Sequence, residues 1–222
     1  MASRYRKHPD LVPGFERVNM LIFFSEKFLK LNNIDLEIEG YDNLPKNGGC
    51  LLVPNHKSNI DSVALLAALK DTTYEPGIQT KVTTFLAKKE LTKKRLMRNL
   101  LSLVDTFAID RSNFRQSVET INEFGKFVKE NKTYGVVFPE GTRVVKEEIG
   151  EFKAGAFKVA QKEYLPVIPV TIKNSLHALD KKRKGRLKVT VVFHKVIKPS
   201  QFMVQDSKGI AQRVQDIVAS KL

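Results

Sequence analysis

The sequence predicts an α/β fold: a single domain with a mixed, largely parallel sheet flanked by helices, preceded by an N-terminal amphipathic helix. Three observations predict it. Short apolar runs at residues 50–53, 82–87, 106–109, 134–138 and 167–172 alternate with longer stretches of helical period. The first four of these runs lead into polar or charged residues, as strands do where they emerge into a binding crevice. The chain's 222 residues, 42% of them hydrophobic, suit one sizeable core.

The elements run in order along the chain. Residues 1–12 are basic and mixed and read as an irregular arm, separated from the first helix by the break at Pro13-Gly14. Residues 15–31 read as that helix. Glu16, Asn19, Glu26, Lys27 and Lys30 share an arc of about 100°, and Phe15, Val18, Leu21, Ile22, Phe24, Phe28, Leu29 and Leu31 cover most of the rest. So broad an apolar face with basic ends fits a helix packed on the core, a helix lying in a membrane interface, or one that does both. The boundary expected from this is an arm and interface helix over residues 1–31 and the main domain over 32–222.

Residues 34–39 alternate apolar and acidic, a half-exposed strand. Residues 43–49 form a turn, 50–53 a buried strand and 61–69 a helix. Residues 70–80 read as a loop, 82–87 as a strand and 91–103 as a basic helix. A short strand at 106–109 precedes a helix over 114–130 and a strand at 134–138. A helix over 154–163, strands at 167–172 and 187–197, and a closing helix over 209–222 complete the chain.

The formal net charge of +14 calls for anionic partners: nucleic acid, an anionic membrane surface or phosphorylated substrates. Cys50 is the lone cysteine and lies in an apolar run, so a reducing compartment is expected, with no disulfide or zinc framework. The start is too polar for a secretory signal, and the apolar run 20–24 is far too short to span a bilayer. The basic stretches 88–98 and 181–188 lack interleaved aromatics for stacking on bases, which weighs against nucleic acid.

The junction Pro54-Asn55-His56-Lys57-Ser58-Asn59-Ile60-Asp61 joins a strand to a helix. A carboxylate bonded to one imidazole nitrogen fixes the tautomer and leaves the other to take a proton. On the residues alone two readings stand: such a catalytic pair, or a loop His56 and a helix-capping Asp61 with nothing in common. On one continuous helix the two side chains would diverge by about 140°, so His56 is expected in the loop or on the bent first turn, with Asp61 just inside the helix. One cation among 38 says little. Lys88, Arg111 and Arg143 stand out because each lies just past a strand, where Arg and Lys make a phosphate site. No metal-ligand cluster accompanies them: His8, His177 and His194 have no ligand partners nearby in the sequence.

Asn55-His56-Lys57-Ser58-Asn59-Ile60-Asp61 resembles the N-H-x-S-x-x-D block of the glycerolipid acyltransferases. Phe138-Pro139-Glu140-Gly141-Thr142-Arg143 is similar to that family's F-P-E-G-T-R block. Leu165-Pro166-Val167-Ile168-Pro169-Val170 resembles its fourth block, and Phe152-Lys153-Ala154-Gly155-Ala156 and Phe85-Leu86-Ala87-Lys88-Lys89-Glu90-Leu91 its connecting segments. The second block departs: where the family has a Gly and a Phe before its Arg, this chain has Asp105 and Ala108 before Arg111.

The resemblance implies transfer of an acyl group from a thioester, acyl-CoA or acyl carrier protein, to the 2-hydroxyl of 1-acylglycerol 3-phosphate (lysophosphatidate). No other cofactor and no metal is implied. His56 would be the base and Asp61 its orienting partner; Lys88, Arg111 and Arg143 would hold the phosphate. Glu140, Gly141 and Thr142 would bind substrate, Glu140 by bonding the glycerol or by organising the Gly141 turn. The place of work would be the cytoplasmic face of the cell membrane. Glycerol 3-phosphate or another lysophospholipid as acceptor, and a non-catalytic basic module, are the alternatives.

Overall fold

The computed structural model describes residues 1–71 and 80–222; most of the loop expected over 70–80 lies outside them. The described elements are α1 (Ala2–Lys7), α2 (Gly14–Leu31), β1 (Ile34–Glu39), β2 (Cys50–Pro54), α3 (Ile60–Ala68), β3 (Thr83–Lys88), α4 (Arg95–Leu103), β4 (Phe107–Ile109), α5 (Phe114–Glu130), β5 (Tyr134–Val136), α6 (Gly155–Glu163), β6 (Val167–Lys173), β7 (Leu187–Phe193) and α7 (Ser207–Ala219).

The seven strands form one sheet in the order β1-β7-β6-β2-β5-β3-β4. All neighbours are parallel except β6 and β7. It is the mixed, largely parallel sheet that the alternating pattern predicts. Strand β2 shows why the sheet is covered on both faces. Successive side chains alternate sides, so Cys50 and Leu52 join α2 and α3 residues such as Leu21, Leu29 and Leu65. Leu51 and Val53 join Phe124, Phe157 and Val214 of α5, α6 and α7 on the other face. All five residues of β2 are buried, and each large apolar side chain buried in this way contributes about 1.5–3 kcal/mol.

Two expectations are corrected. Residues 1–12 are not an irregular arm: they form α1 and a 3₁₀ turn over Pro9–Leu11. Tertiary contacts hold them. The Tyr5 hydroxyl donates to Asp105 Oδ1 at 2.5 Å, and the Arg17 guanidinium lies 3.9 Å over the Tyr5 ring. The basic helix expected over 91–103 is split into a 3₁₀ turn, Lys89–Lys93, and α4, with Lys94 extended between them. The Thr92 hydroxyl donates to the Lys89 carbonyl at 2.7 Å, a local alternative to helical bonding.

Helix α2 does two things at once. Val18, Leu21, Ile22 and Leu29 enter the core. Phe15, Phe23, Phe24, Phe28 and Leu31 stay exposed. No helix among the described residues is long and apolar enough to cross a membrane.

Candidate active site

Because β2, β5, β3 and β4 are adjacent and parallel, their carboxyl ends share one edge. His56 follows β2, Glu140 follows β5, Lys88 ends β3 and Arg111 follows β4. At about 4.8 Å per strand, β4 lies roughly 14 Å from β2. The expected residues therefore lie along one edge of the sheet but not in one cluster.

His56 lies in the loop and Asp61 in the first turn of α3, as the spacing argument allows. His56 Nδ1 is 2.8 Å from Asp61 Oδ2. The same carboxylate oxygen accepts the backbone N–H groups of Lys57, at 2.7 Å, and Ser58, at 2.8 Å. It does not cap the helix; it closes the loop that carries the histidine. Asp61 is fully buried, whereas the His56 side chain keeps 19% of its surface exposed. With Nδ1 turned to the carboxylate, the hydrogen-bond network assigns the proton there and leaves Nε2 as the basic nitrogen.

Glu140 reaches the same loop from β5. Its Oε1 accepts the backbone N–H of His56 at 2.9 Å, and the residue is only 3% exposed. Burial pushes its carboxyl above the ordinary range, partly offset by that hydrogen bond. The carboxylate is turned inward onto the histidine backbone, a contact to the His56 loop rather than to the Gly141 turn. Gly141 adopts φ +73°, where a side chain would strain the backbone. Its N–H returns to the Phe138 carbonyl at 3.0 Å, closing the turn. Thr142 and Arg143 project from it, both exposed. Arg143 makes no ion pair among the described residues.

Arg111 is also exposed and without an ion pair among them. Asp110 beside it is pulled down to about 2 by the Ser112 hydroxyl, Lys89 and the Ser112 amide, which shapes the turn under Arg111. Lys88 lies opposite Ile109 in the β3–β4 register and pairs with Glu90 at 3.3 Å. The departure at Asp105 has a physical basis. Its φ is +44°, a conformation that favours glycine, and its carboxylate takes both Arg17 nitrogens at 2.8 and 2.9 Å. Asp thus tolerates a left-handed position while latching α2 to the strand that leads to Arg111.

Three contributors escape a sequence reading. The Phe138 ring stacks on the His56 ring, 4.1 Å between centroids at 30°; it is half-buried, a wall of the site as well as part of the core. Asn55 donates to the Ile172 carbonyl at 3.1 Å and accepts its N–H at 2.7 Å, continuing the β2–β6 ladder with a side chain. The third is Lys57, buried beside the His56–Asp61 pair. Nothing in composition or spacing marks a lysine within a motif as buried. No group of residues suited to a metal ion occurs among the described residues.

The sequence model of the Acyltransferase family matches residues 35–173, more than half of the chain, including the His56–Asp61 loop and the Glu140–Arg143 turn. The chain belongs to the Acyltransferase family. A Mycoplasma pneumoniae protein named "Probable 1-acyl-sn-glycerol-3-phosphate acyltransferase" is 34% identical over 96% of this chain and 80% of its own length. The 1-acyl-sn-glycerol-3-phosphate acyltransferase of Saccharomyces cerevisiae is 29% identical over 85% of this chain and 60% of its own. The crystal structure of PlsC, the 1-acyl-sn-glycerophosphate acyltransferase of Thermotoga maritima, superposes with a TM-score of 0.74 at 24% identity, over 92% of this chain and 77% of that one. The last comparison shows the shared fold: this acyltransferase's sheet and helices have the same architecture.

Proposed function

We propose that the protein transfers a fatty acyl group from an acyl thioester, acyl-CoA or acyl carrier protein, to the 2-hydroxyl of lysophosphatidate, giving phosphatidate for phospholipid synthesis. The observation that carries this reading is the His56–Asp61 contact of 2.8 Å, held in place by Glu140 on the His56 amide. The names of the relatives support the choice of acceptor. In the reaction, neutral His56 Nε2 takes the proton of the acceptor hydroxyl as its oxygen attacks the thioester carbonyl carbon. The tetrahedral species collapses, the C–S bond breaks, and the leaving thiolate takes the proton back from the imidazolium. Asp61 stabilises that imidazolium while it lasts. Arg143, Arg111 and Lys88 hold the acceptor phosphate. Thiol release from acyl-CoA and from acyl carrier protein, measured with lysophosphatidate, glycerol 3-phosphate and other lysophospholipids, tests the reading. No lysophosphatidate-dependent release would overturn it.

The same reading puts the enzyme on an anionic membrane surface, at the cytoplasmic face where acyl thioesters are supplied. The exposed Phe23, Phe24, Phe28 and Leu31 of α2, and Leu96 and Leu100 beside Arg95 and Arg98 on α4, support it. Phe24→Glu with Phe28→Glu should reduce sedimentation with phosphatidylglycerol vesicles while leaving the folded domain intact. Wild-type binding by that variant would remove α2 from the contact.

A further inference from the structure

Lys57 is a residue with no assigned part in the reaction and an unusual environment. It sits next to the base, is only 6% exposed, and carries an ammonium. Burial lowers its pKa, while Glu140, Glu147, Asp61 and Glu148 act to keep it charged. Its Nζ donates to three consecutive backbone carbonyls, those of Lys146, Glu147 (2.8 Å) and Glu148. An ammonium has three donors, so this cradle uses all of them. None is left for a substrate phosphate, which separates Lys57 from the exposed cations of the crevice.

The three carbonyls belong to a loop that begins at Arg143. Residues 145–148 are exposed and charged or β-branched (Val145, Lys146, Glu147, Glu148), with no strand or helix to fix them. Two contacts tie this loop to the catalytic turn. Val144 donates its N–H to the His56 carbonyl at 2.8 Å, and Lys57 holds the carbonyls two to four residues further on. The loop then closes over Glu140: a Cβ on Gly150 would lie 2.7 Å from Val144 Cγ2 and 3.1 Å from Glu140 Oε2. Arg143 is thus the last residue before a segment clasped to the His56 carbonyl and to the neighbouring Lys57.

We propose that Lys57 is a positioning residue for the acceptor phosphate: its ammonium clasps the 146–148 carbonyls and so fixes where Arg143 presents its guanidinium relative to His56. The inference rests on the reading of Arg143 as a phosphate ligand. An exposed arginine on an unanchored loop would sample many positions, and a small misplacement of a substrate-holding group is costly. The clasp removes that freedom before the acceptor arrives.

The test is steady-state acyl transfer from acyl-CoA to lysophosphatidate by wild type, Lys57→Met, Arg143→Ala and the double variant, with amide exchange of residues 144–149 followed in the full chain. Lys57→Met keeps the stem and loses the charge. It should raise the acceptor KM about tenfold, leave the donor KM alone, and speed exchange across 144–149. Because Lys57 acts through Arg143, the double variant should be no worse than Arg143→Ala alone, a non-additivity that independent residues do not show. An unchanged acceptor KM, unchanged exchange, or effects that multiply would each overturn the proposal. If Arg143→Ala itself leaves the acceptor KM unaltered, the phosphate reading of Arg143 fails, and faster exchange in Lys57→Met would then show a clasp serving another group. Lys57→Arg, which retains charge and donors, guards against misfolding: it should fold and fall between wild type and Lys57→Met. Failure of both variants to fold would assign Lys57 to domain stability alone and overturn the proposal.

Discussion

The two halves of the crevice are built differently. Around His56, the functional groups are buried and already hydrogen-bonded: Asp61 to three donors, Glu140 to the His56 amide. Along the other half, Arg143 and Arg111 are exposed, and Lys88 is half in solvent with Glu90 for a partner. The difference fits the roles proposed for the two halves, a base at His56 and a phosphate site at the cations. A base must be oriented before the hydroxyl arrives, because orientation gained at the moment of reaction raises the barrier. A phosphate carries its own negative charge and can order flexible cations as it binds. Cations left in water also avoid the desolvation that burying three like charges together would impose.

If that division is right, damage to the buried half should fall on turnover and damage to the exposed half on acceptor affinity. The largest effect is expected at His56. His56→Ala should lose about 10²–10⁴-fold in single-turnover transfer while acceptor binding persists, because the cations are untouched. Asp61→Asn should lose less, since it keeps the shape but removes the charge facing the imidazolium. Circular dichroism checks that both remain folded. A folded His56→Ala enzyme with near wild-type transfer would dissolve the comparison.

Arg143→Ala comes next. It should raise the acceptor KM about tenfold or more, as expected for one charge-assisted contact, with a smaller change in kcat. Arg143→Lys should restore only part, because a point charge cannot reproduce a bidentate fork. Lys88→Ala should do less than Arg143→Ala, since Lys88 already shares its charge with Glu90. Acceptor titrations of the three variants rank them directly, and equal effects at Lys88 and Arg143 would mean that the phosphate lies closer to β3 than to the Gly141 turn.

The same division explains what the sequence could reveal. The sheet was legible because segments such as residues 34–39 and the helix Phe114–Glu130 carry clean periods of two and 3.6, and both form as read. Spacing alone keeps His56 off the straight helix, in the loop or on a bent first turn, and puts Asp61 just inside the helix; the structure has His56 in the loop. That the two touch is decided by the folded loop, which turns Nδ1 onto the carboxylate. Of the two misread segments, the 3₁₀ turn Lys89–Lys93 carries a local bond from Thr92 to the Lys89 carbonyl, whereas residues 2–7 are tied down across the chain. The helix of residues 2–7 is docked where Tyr5 and Arg17 meet Asp105, 100 and 88 residues further along the chain. No local pattern records such a meeting. Lys57 and Phe138 gained their places from the loop and ring that fold against them. Composition counts such groups as surface charge and core, and only packing reassigns them.

The smallest expected effect sharpens the comparison from the buried side. Glu140 is ionisable, almost fully covered, and held above the ordinary carboxyl value of 4.5 chiefly by burial. In the folded protein it therefore keeps its proton to higher pH than in the unfolded chain. Between 4.5 and its raised value the folded state binds more protons, so its contribution to stability is full at low pH and is lost as pH rises through that window. Glu140→Gln keeps an oxygen to accept the His56 N–H but cannot ionise. Chemical denaturation of the two proteins as a function of pH should show the wild type losing stability relative to the variant across the window, with little difference in slope below it. Transfer activity should fall less than in Asp61→Asn, because the amide still holds the histidine backbone. A variant with an identical stability profile would mean that the Glu140 carboxylate is solvated well enough to ionise normally, and the buried half of the site would then end at Asp61.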